Sequence, residues 1–204
     1  MKKLVTLSIT LLAGLSLVAC SNNSTKSTAK KPDSTSKVAS SKKTETAKVT
    51  LSKYNQVKMG DIANSGSNGT PEKQVKSWFG KPVSSTKTEL SGTSTKATQY
   101  VWTDVNTSLK NASVTVSFLN GKAVGKGYTD AKVSNKLSSA TLKEITTGTS
   151  LKDTQKKLGI PSGQAIVGHG TTSTQLLTYT DGSKSVGFSF ANNVLTSKTE
   201  TNIK

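Results

Sequence analysis

The feature that most constrains the fold is that residues 51–204 can be laid over themselves. The first half reads Tyr54-Asn55-Gln56-Val57-Lys58-Met59-Gly60 and, after the nine residues Asp61 to Gly69, Thr70-Pro71-Glu72-Lys73-Gln74-Val75-Lys76-Ser77-Trp78-Phe79-Gly80-Lys81-Pro82. The second reads Leu142-Lys143-Glu144-Ile145-Thr146-Thr147-Gly148 and runs directly into Thr149-Ser150-Leu151-Lys152-Asp153-Thr154-Gln155-Lys156-Lys157-Leu158-Gly159-Ile160-Pro161. Each half opens on a short amphipathic helical turn, with Tyr54 and Val57 or Leu142 and Ile145 at helical spacing, and a glycine stops it. Thr70 and Thr149 are then expected to N-cap a second helix, with Pro71 at its first position. Val75, Trp78 and Phe79 form its apolar stripe, and Gly80 and Gly159 are expected as left-handed C-caps before Pro82 and Pro161.

Strands follow in both halves. Gln99 to Asp104 matches Leu176 to Asp181, and Val114-Thr115-Val116-Ser117-Phe118 matches Val186-Gly187-Phe188-Ser189-Phe190 with strict alternation. Asn120-Gly121 and Asn192-Asn193 suit tight hairpins into last strands over 122–126 and 194–198. The expected fold class is α+β, with two tandem repeats of two helices and an antiparallel meander of three or four strands, over 51–131 and 132–204. A unit of that size is marginal alone, so the copies are expected side by side, sharing a sheet and an interface. A single α+β domain without true repetition is the alternative.

The N-terminus speaks to location. Lys2 and Lys3 precede the uncharged run Leu4 to Ala19, too short to span a membrane comfortably. The run ends Leu17-Val18-Ala19-Cys20, which resembles the bacterial lipoprotein signal. That resemblance implies a signal peptide over 1–19, a diacylglyceryl group on the Cys20 thiol, cleavage after Ala19, and anchoring on the extracytoplasmic face of the cell membrane by acyl chains such as palmitate. An ordinary cleaved signal or a core cysteine is the alternative. Residues 21–50 hold 13 serines and threonines and seven lysines against Asp33 and Glu45, with almost no large apolar side chain. Such a stretch cannot offset its ordering entropy, so 20–50 is expected to be a lipidated cysteine and a disordered tether.

Charge and cysteine content exclude several functions. The formal net charge of +17 comes entirely from lysine, the poorer residue for bidentate phosphate recognition, and a signal peptide leads away from cytoplasmic nucleic acid. Specific nucleic-acid binding is not expected; contact with teichoic acid or anionic lipid remains a candidate. One cysteine and one histidine leave no internal disulfide and no ordinary zinc set, and no cofactor is expected.

The helix ending Gly-x-Pro, the strand Tyr100-Val101-Trp102 and the hairpin Val116-Ser117-Phe118-Leu119-Asn120-Gly121-Lys122 resemble the beta-lactamase-inhibitor-protein-like domain. Together with Trp78-Phe79-Gly80-Lys81-Pro82, they are similar in particular to tandem-domain lipoproteins of low-GC Gram-positive bacteria. The resemblance implies a concave, solvent-facing sheet surface that binds another protein. No inhibitory residue can be carried over, and the disulfides of the secreted inhibitor have no counterpart here.

Catalysis finds no constellation. His169 lies between Gly168 and Gly170 with no identifiable nucleophile or orienting group, and reads as an exposed loop residue. The carboxylates Asp61, Glu72, Glu89, Asp104, Asp130, Glu144, Asp153, Asp181 and Glu200 stand in polar contexts. Tyr100, Trp102 and Tyr179 are either interface anchors or core. The insertion Asp61 to Gly69 is either a functional loop or neutral length variation. The expected function is a surface-anchored, non-catalytic module that binds an envelope protein through its sheet face or loops, with no partner-binding residue identified. Polyanion binding is the alternative, and a small-molecule-binding lipoprotein a weaker one.

Overall fold

The computed structural model describes residues 49–90, 94–182 and 184–203. The signal, Cys20 and nearly all of the expected tether lie outside the described residues. The tether's last two residues do not fit the expectation. Val49 is fully buried and bridges Val105, while the Thr50 hydroxyl caps the first helix by accepting the Lys53 N–H.

Two helices and four strands follow in chain order: α1 Leu51–Gln56, α2 Glu72–Phe79, β1 Ser84–Glu89, β2 Lys96–Trp102, β3 Ser113–Leu119 and β4 Lys122–Thr129. The same order then recurs as α3 Ser139–Glu144, α4 Leu151–Leu158, β5 Gly163–Val167, β6 Thr174–Asp181, β7 Lys184–Ala191 and β8 Val194–Asn202. All eight strands join one antiparallel sheet in sequential order, closed across the middle by β4 and β5 through Gly125 to Tyr128 against Gln164 to Val167. The fold is α+β and dominated by this sheet.

The hairpins form where asparagine and glycine permit positive φ: Asn120 and Gly121 sit at 47° and 72°, Asn192 and Asn193 at 50° and 62°. Both following strand pairs carry a register shift, at Ser117/Phe118 and at Ser189/Phe190.

The helix starts differ from expectation. Pro71 and Ser150, one residue later than expected, are the N-cap residues. The hydroxyls of Thr70 and Thr149 instead accept the N–H groups of Lys58 and Thr146, fastening the segment before each helix. Gly80 and Gly159 end the helices at φ 82° and 79°, but with extended ψ rather than the left-handed helical value.

Helices of six to eight residues are marginal by themselves, and these are held by packing against one face of the sheet. Tyr54, Val75 and Phe79 bury against Trp102, Val114, Val116, Phe118 and Tyr128. Leu142, Ile145 and Leu158 bury against Leu177, Tyr179, Val186, Phe188, Phe190 and Leu195. Each fully buried large side chain contributes roughly 1.5–3 kcal/mol. The Trp102 indole N–H donates to the Gly80 carbonyl at 2.9 Å, and the Tyr179 hydroxyl donates to the Gly159 carbonyl at 3.1 Å. Different rings thus satisfy the same end of the second helix. Lys126 donates to the Tyr54 and Val57 carbonyls, both at 2.9 Å, and Lys198 to the Leu142 carbonyl at 2.8 Å, so a strand lysine closes the C-terminal end of each first helix.

Candidate functional site

Because side chains alternate along a strand, the register assigns every strand residue to the helix-covered face or to the opposite one. On the opposite face one row crosses all eight strands: Ser84, Val101, Thr115, Gly127, Ala165, Leu176, Ser189 and Ser197. A second runs Thr86, Gln99, Ser117, Gly125, Val167, Thr174, Ala191 and Val194. A third contains Ser113 with Thr129, then Gly163, Thr178, Gly187 and Thr199. These rows hold no charged and no aromatic residue.

Lys87, Glu89, Lys96, Lys126, Asp181, Lys184, Lys198 and Glu200 all fall on the helix side of the alternation. Lys122, at the tip of the β3–β4 hairpin, is the exception. On a chain of net charge +17, the uncovered face is therefore a neutral surface of hydroxyls, glycine and small apolar groups. Val101, Thr115, Ala165, Leu176 and Thr178 are half-buried there, so part of their surface stays open. Gly187 interrupts β7, a strand paired on both sides, although an added Cβ would meet nothing within 4 Å, a position where another molecule can approach the backbone closely.

One end of this face is closed by a small apolar cluster of Leu90, Ala97 and Val124, with Ile62 and Leu119 against it. Ile62 brings in the Asp61–Gly69 insertion, which is tightly pinned. Gly60 N–H donates to the Ala123 carbonyl at 2.7 Å, Gly66 N–H to the Asp61 carbonyl at 2.7 Å, and the Asp61 carboxylate accepts from Ala63 N–H and the Asn64 amide. A Cβ at Gly60 would stand 2.1 Å from the Gly66 carbonyl oxygen, so only glycine permits this closure. The insertion is a brace on the β3–β4 hairpin.

The other residues singled out in the sequence are dispersed. Trp102 and Tyr179 are core, and Tyr100 is half-buried between Trp102 and Phe118, with the Lys76 ammonium 3.9 Å from its ring centre. His169 is exposed before a short 3₁₀ turn. Glu72 pairs with Lys76 at 2.6 Å, Glu144 with Lys157, and Glu200 with Lys184 at 3.7 Å. Desolvation pushes the Glu72 carboxyl up, but hydrogen bonds from Lys76 and Tyr100 outweigh it and hold the group below its ordinary value. Among the described residues no three histidines, cysteines or carboxylates gather into a metal-binding group.

An open depression of about 520 Å³ lies at the β2–β3 end, lined by Thr103, Val105, Asn106, Lys110 and Asn111 among others. It contains no acid–base pair. Burial lowers Lys126 to about 8, and its ammonium sits over the Tyr54 ring at 4.6 Å. That lysine is occupied with the carbonyls of Tyr54 in α1 and of Val57 just after it, and faces away from the open surface.

The architecture is similar to that of a proposed beta-lactamase inhibitor protein from Streptococcus mutans. The two are 21% identical, with a TM-score of 0.59 over 74% of this chain and 94% of the other. At that identity the likeness establishes the fold alone. No curated protein matches the chain. A family model does, over residues 46–203: the domain of unknown function DUF3862, for which a structure has been solved. The chain belongs to the DUF3862 family.

Proposed function

We propose that this chain is a non-catalytic protein-binding module that meets its partner with the uncovered face of the sheet. The observation that carries the reading is the segregation of charge: strand lysines and carboxylates fall on the helix side, apart from Lys122 at a hairpin tip. A neutral, half-buried face avoids the desolvation cost of stranded charges on docking. The description of the Streptococcus mutans protein as an inhibitor protein agrees with such a role, and a beta-lactamase is the first defined probe.

In this reading the two helix-and-strand halves are copies of one unit. The repeated helix-end carbonyl bonds, Trp102 to Gly80 and Tyr179 to Gly159, and the repeated lysine closures by Lys126 and Lys198 support it. Cys20 carries the lipid, 21–48 serve as tether, and the module stands on the extracytoplasmic face of a Gram-positive membrane.

The test places charge on the face. Gly187→Lys with Ser189→Lys adds two cations where a Cβ at 187 meets nothing, so the fold is retained. Binding to beta-lactamase or to envelope protein, resistant to high salt in the parent, is expected to be lost. Retention by the folded double variant refutes the assignment of the face. The polyanion alternative draws on exposed lysines of the helix side, Lys143, Lys152 and Lys156. It predicts teichoic acid or anionic-vesicle binding that collapses with salt and survives the double variant.

A further inference from the structure

Among the described residues the sheet ends at two edge strands, β1 and β8. An open edge presents free backbone donors and acceptors, and natural sheets commonly guard it with isolated charges, proline or a covering element. β8 spans nine residues, Val194–Asn202, and contains no proline. Its start is already taken, with Gly148 N–H donating to the Leu195 carbonyl and Leu195 N–H to the Thr149 carbonyl, so among the described residues the exposed run from Thr196 to Asn202 is the part left open. Its charges are arranged for pairing. Lys198 and Glu200 flank Thr199 and project to the same face, since both lie one residue from it on a strand.

We infer that β8 is a self-complementary edge that pairs antiparallel with β8 of a second copy about a two-fold axis at Thr199, extending the sheet across the dimer. In that register Lys198 stands opposite Glu200 of the second copy and Glu200 opposite its Lys198, so one contact made twice places opposite charges across the seam on both sides. A lone lysine guards an edge by repulsion; a lysine and a glutamate two apart invite their own reflection. The Lys198 ammonium gives one of its three donors to the Leu142 carbonyl at 2.8 Å, and Glu200 lies 3.9 Å from Lys198 and 3.7 Å from Lys184, so both charges are held beside the seam with donor and acceptor capacity to spare for a second copy. β1 carries a shorter version, Lys87-Thr88-Glu89, on a six-residue strand. The open run of β8 from Thr196 to Asn202 is centred on Thr199, and an isologous β8 contact closes at two copies, whereas pairing β1 with β8 would continue into filaments.

The experiment uses the full chain with Cys20→Ser, so that no native thiol remains. Sedimentation over a range of protein concentrations is expected to show a monomer–dimer equilibrium. Glu200→Lys, which puts lysine opposite lysine, is expected to shift it to monomer. The exchange Lys198→Glu with Glu200→Lys, which restores opposite charges across the seam, is expected to bring the dimer back. Thr199→Cys is expected to form a disulfide-linked dimer on mild oxidation, and Thr88→Cys on β1 is not. Circular dichroism keeps misfolded variants out of the comparison. A protein that stays monomeric at its highest soluble concentration, a dimer indifferent to Glu200→Lys, or cross-linking at residue 88 in place of 199 would overturn the inference.

Discussion

Lys126 makes the helix-side core sensitive to alkali in an unusual direction. Its side chain is pressed against Tyr54 and gives hydrogen bonds to two carbonyls at 2.9 Å each, and burial lowers it from 10.5 to about 8. A neutral amine still has two N–H groups, so deprotonation keeps both donors and removes only the buried charge. In the native protein the proton is therefore released near pH 8, while the unfolded chain holds it to about pH 10.4. Between those values the unfolded state binds more protons, so stability rises with pH.

The full shift is worth about 3 kcal/mol, of which about 2 kcal/mol is realised between pH 7 and pH 9.5. Tyr54, Tyr128 and Tyr179 act oppositely above that window. Burial raises all three in the native state, whereas in the unfolded chain they ionise near pH 10. There the native state binds more protons, and stability falls as pH climbs further. Urea denaturation followed by tryptophan fluorescence is expected to give a stability maximum near pH 9.5, about 1–2 kcal/mol above the value at pH 7. In Lys126→Met the rise should vanish and leave only the alkaline fall. A flat profile between pH 7 and pH 9.5 in the parent, or a rise that persists in Lys126→Met, would refute the reasoning.

Three further expectations concern buried polar groups. The Tyr54 hydroxyl is enclosed without a hydrogen-bond partner among the described residues, so Tyr54→Phe should leave stability unchanged or raise it by about 1 kcal/mol in chemical denaturation; a loss of that size would contradict the placement. Tyr179→Phe strands the Gly159 carbonyl and should cost about 1 kcal/mol, while Trp102→Phe also opens a cavity beside Phe79 and should cost about 2–4 kcal/mol, measured the same way.

How far the sequence leads depends on what each segment needs from its neighbours. β3 and β7 are readable because Val114, Val116 and Phe118, and Val186, Phe188 and Phe190, alternate with small polar residues and fill the core. β1, Ser-Ser-Thr-Lys-Thr-Glu, has no apolar face at all; it is a strand because β2 offers it a ladder, which no local pattern announces. Thr70 and Thr149 carry the signature of helix caps yet do not cap α2 and α4: the Thr70 hydroxyl is taken by the distant Lys58 N–H, which no local spacing announces, and the Thr149 hydroxyl by the nearby Thr146 N–H, in a local turn that competes with the cap. The exchange of Trp102 for Tyr179 looks like decay of the pattern until the shared helix-end carbonyl is seen.

The candidate face was the least legible part. Serine, threonine and glycine scattered over eight strands become a surface only once register aligns them into rows. Of the three aromatics that the sequence leaves as either anchors or core, Trp102 and Tyr179 are core and Tyr100 is half-buried on the helix side.

The central claim is that the uncovered sheet face meets a protein, and a photoreactive side chain tests it most directly. Placed at Gly187, where it has room, and separately at exposed Lys152 on the helix side, it reports what each face touches on intact cells. The account predicts a discrete protein adduct from position 187 and none from position 152. Protein adducts from 152 alone, or only polymer and lipid adducts from 187, would contradict it.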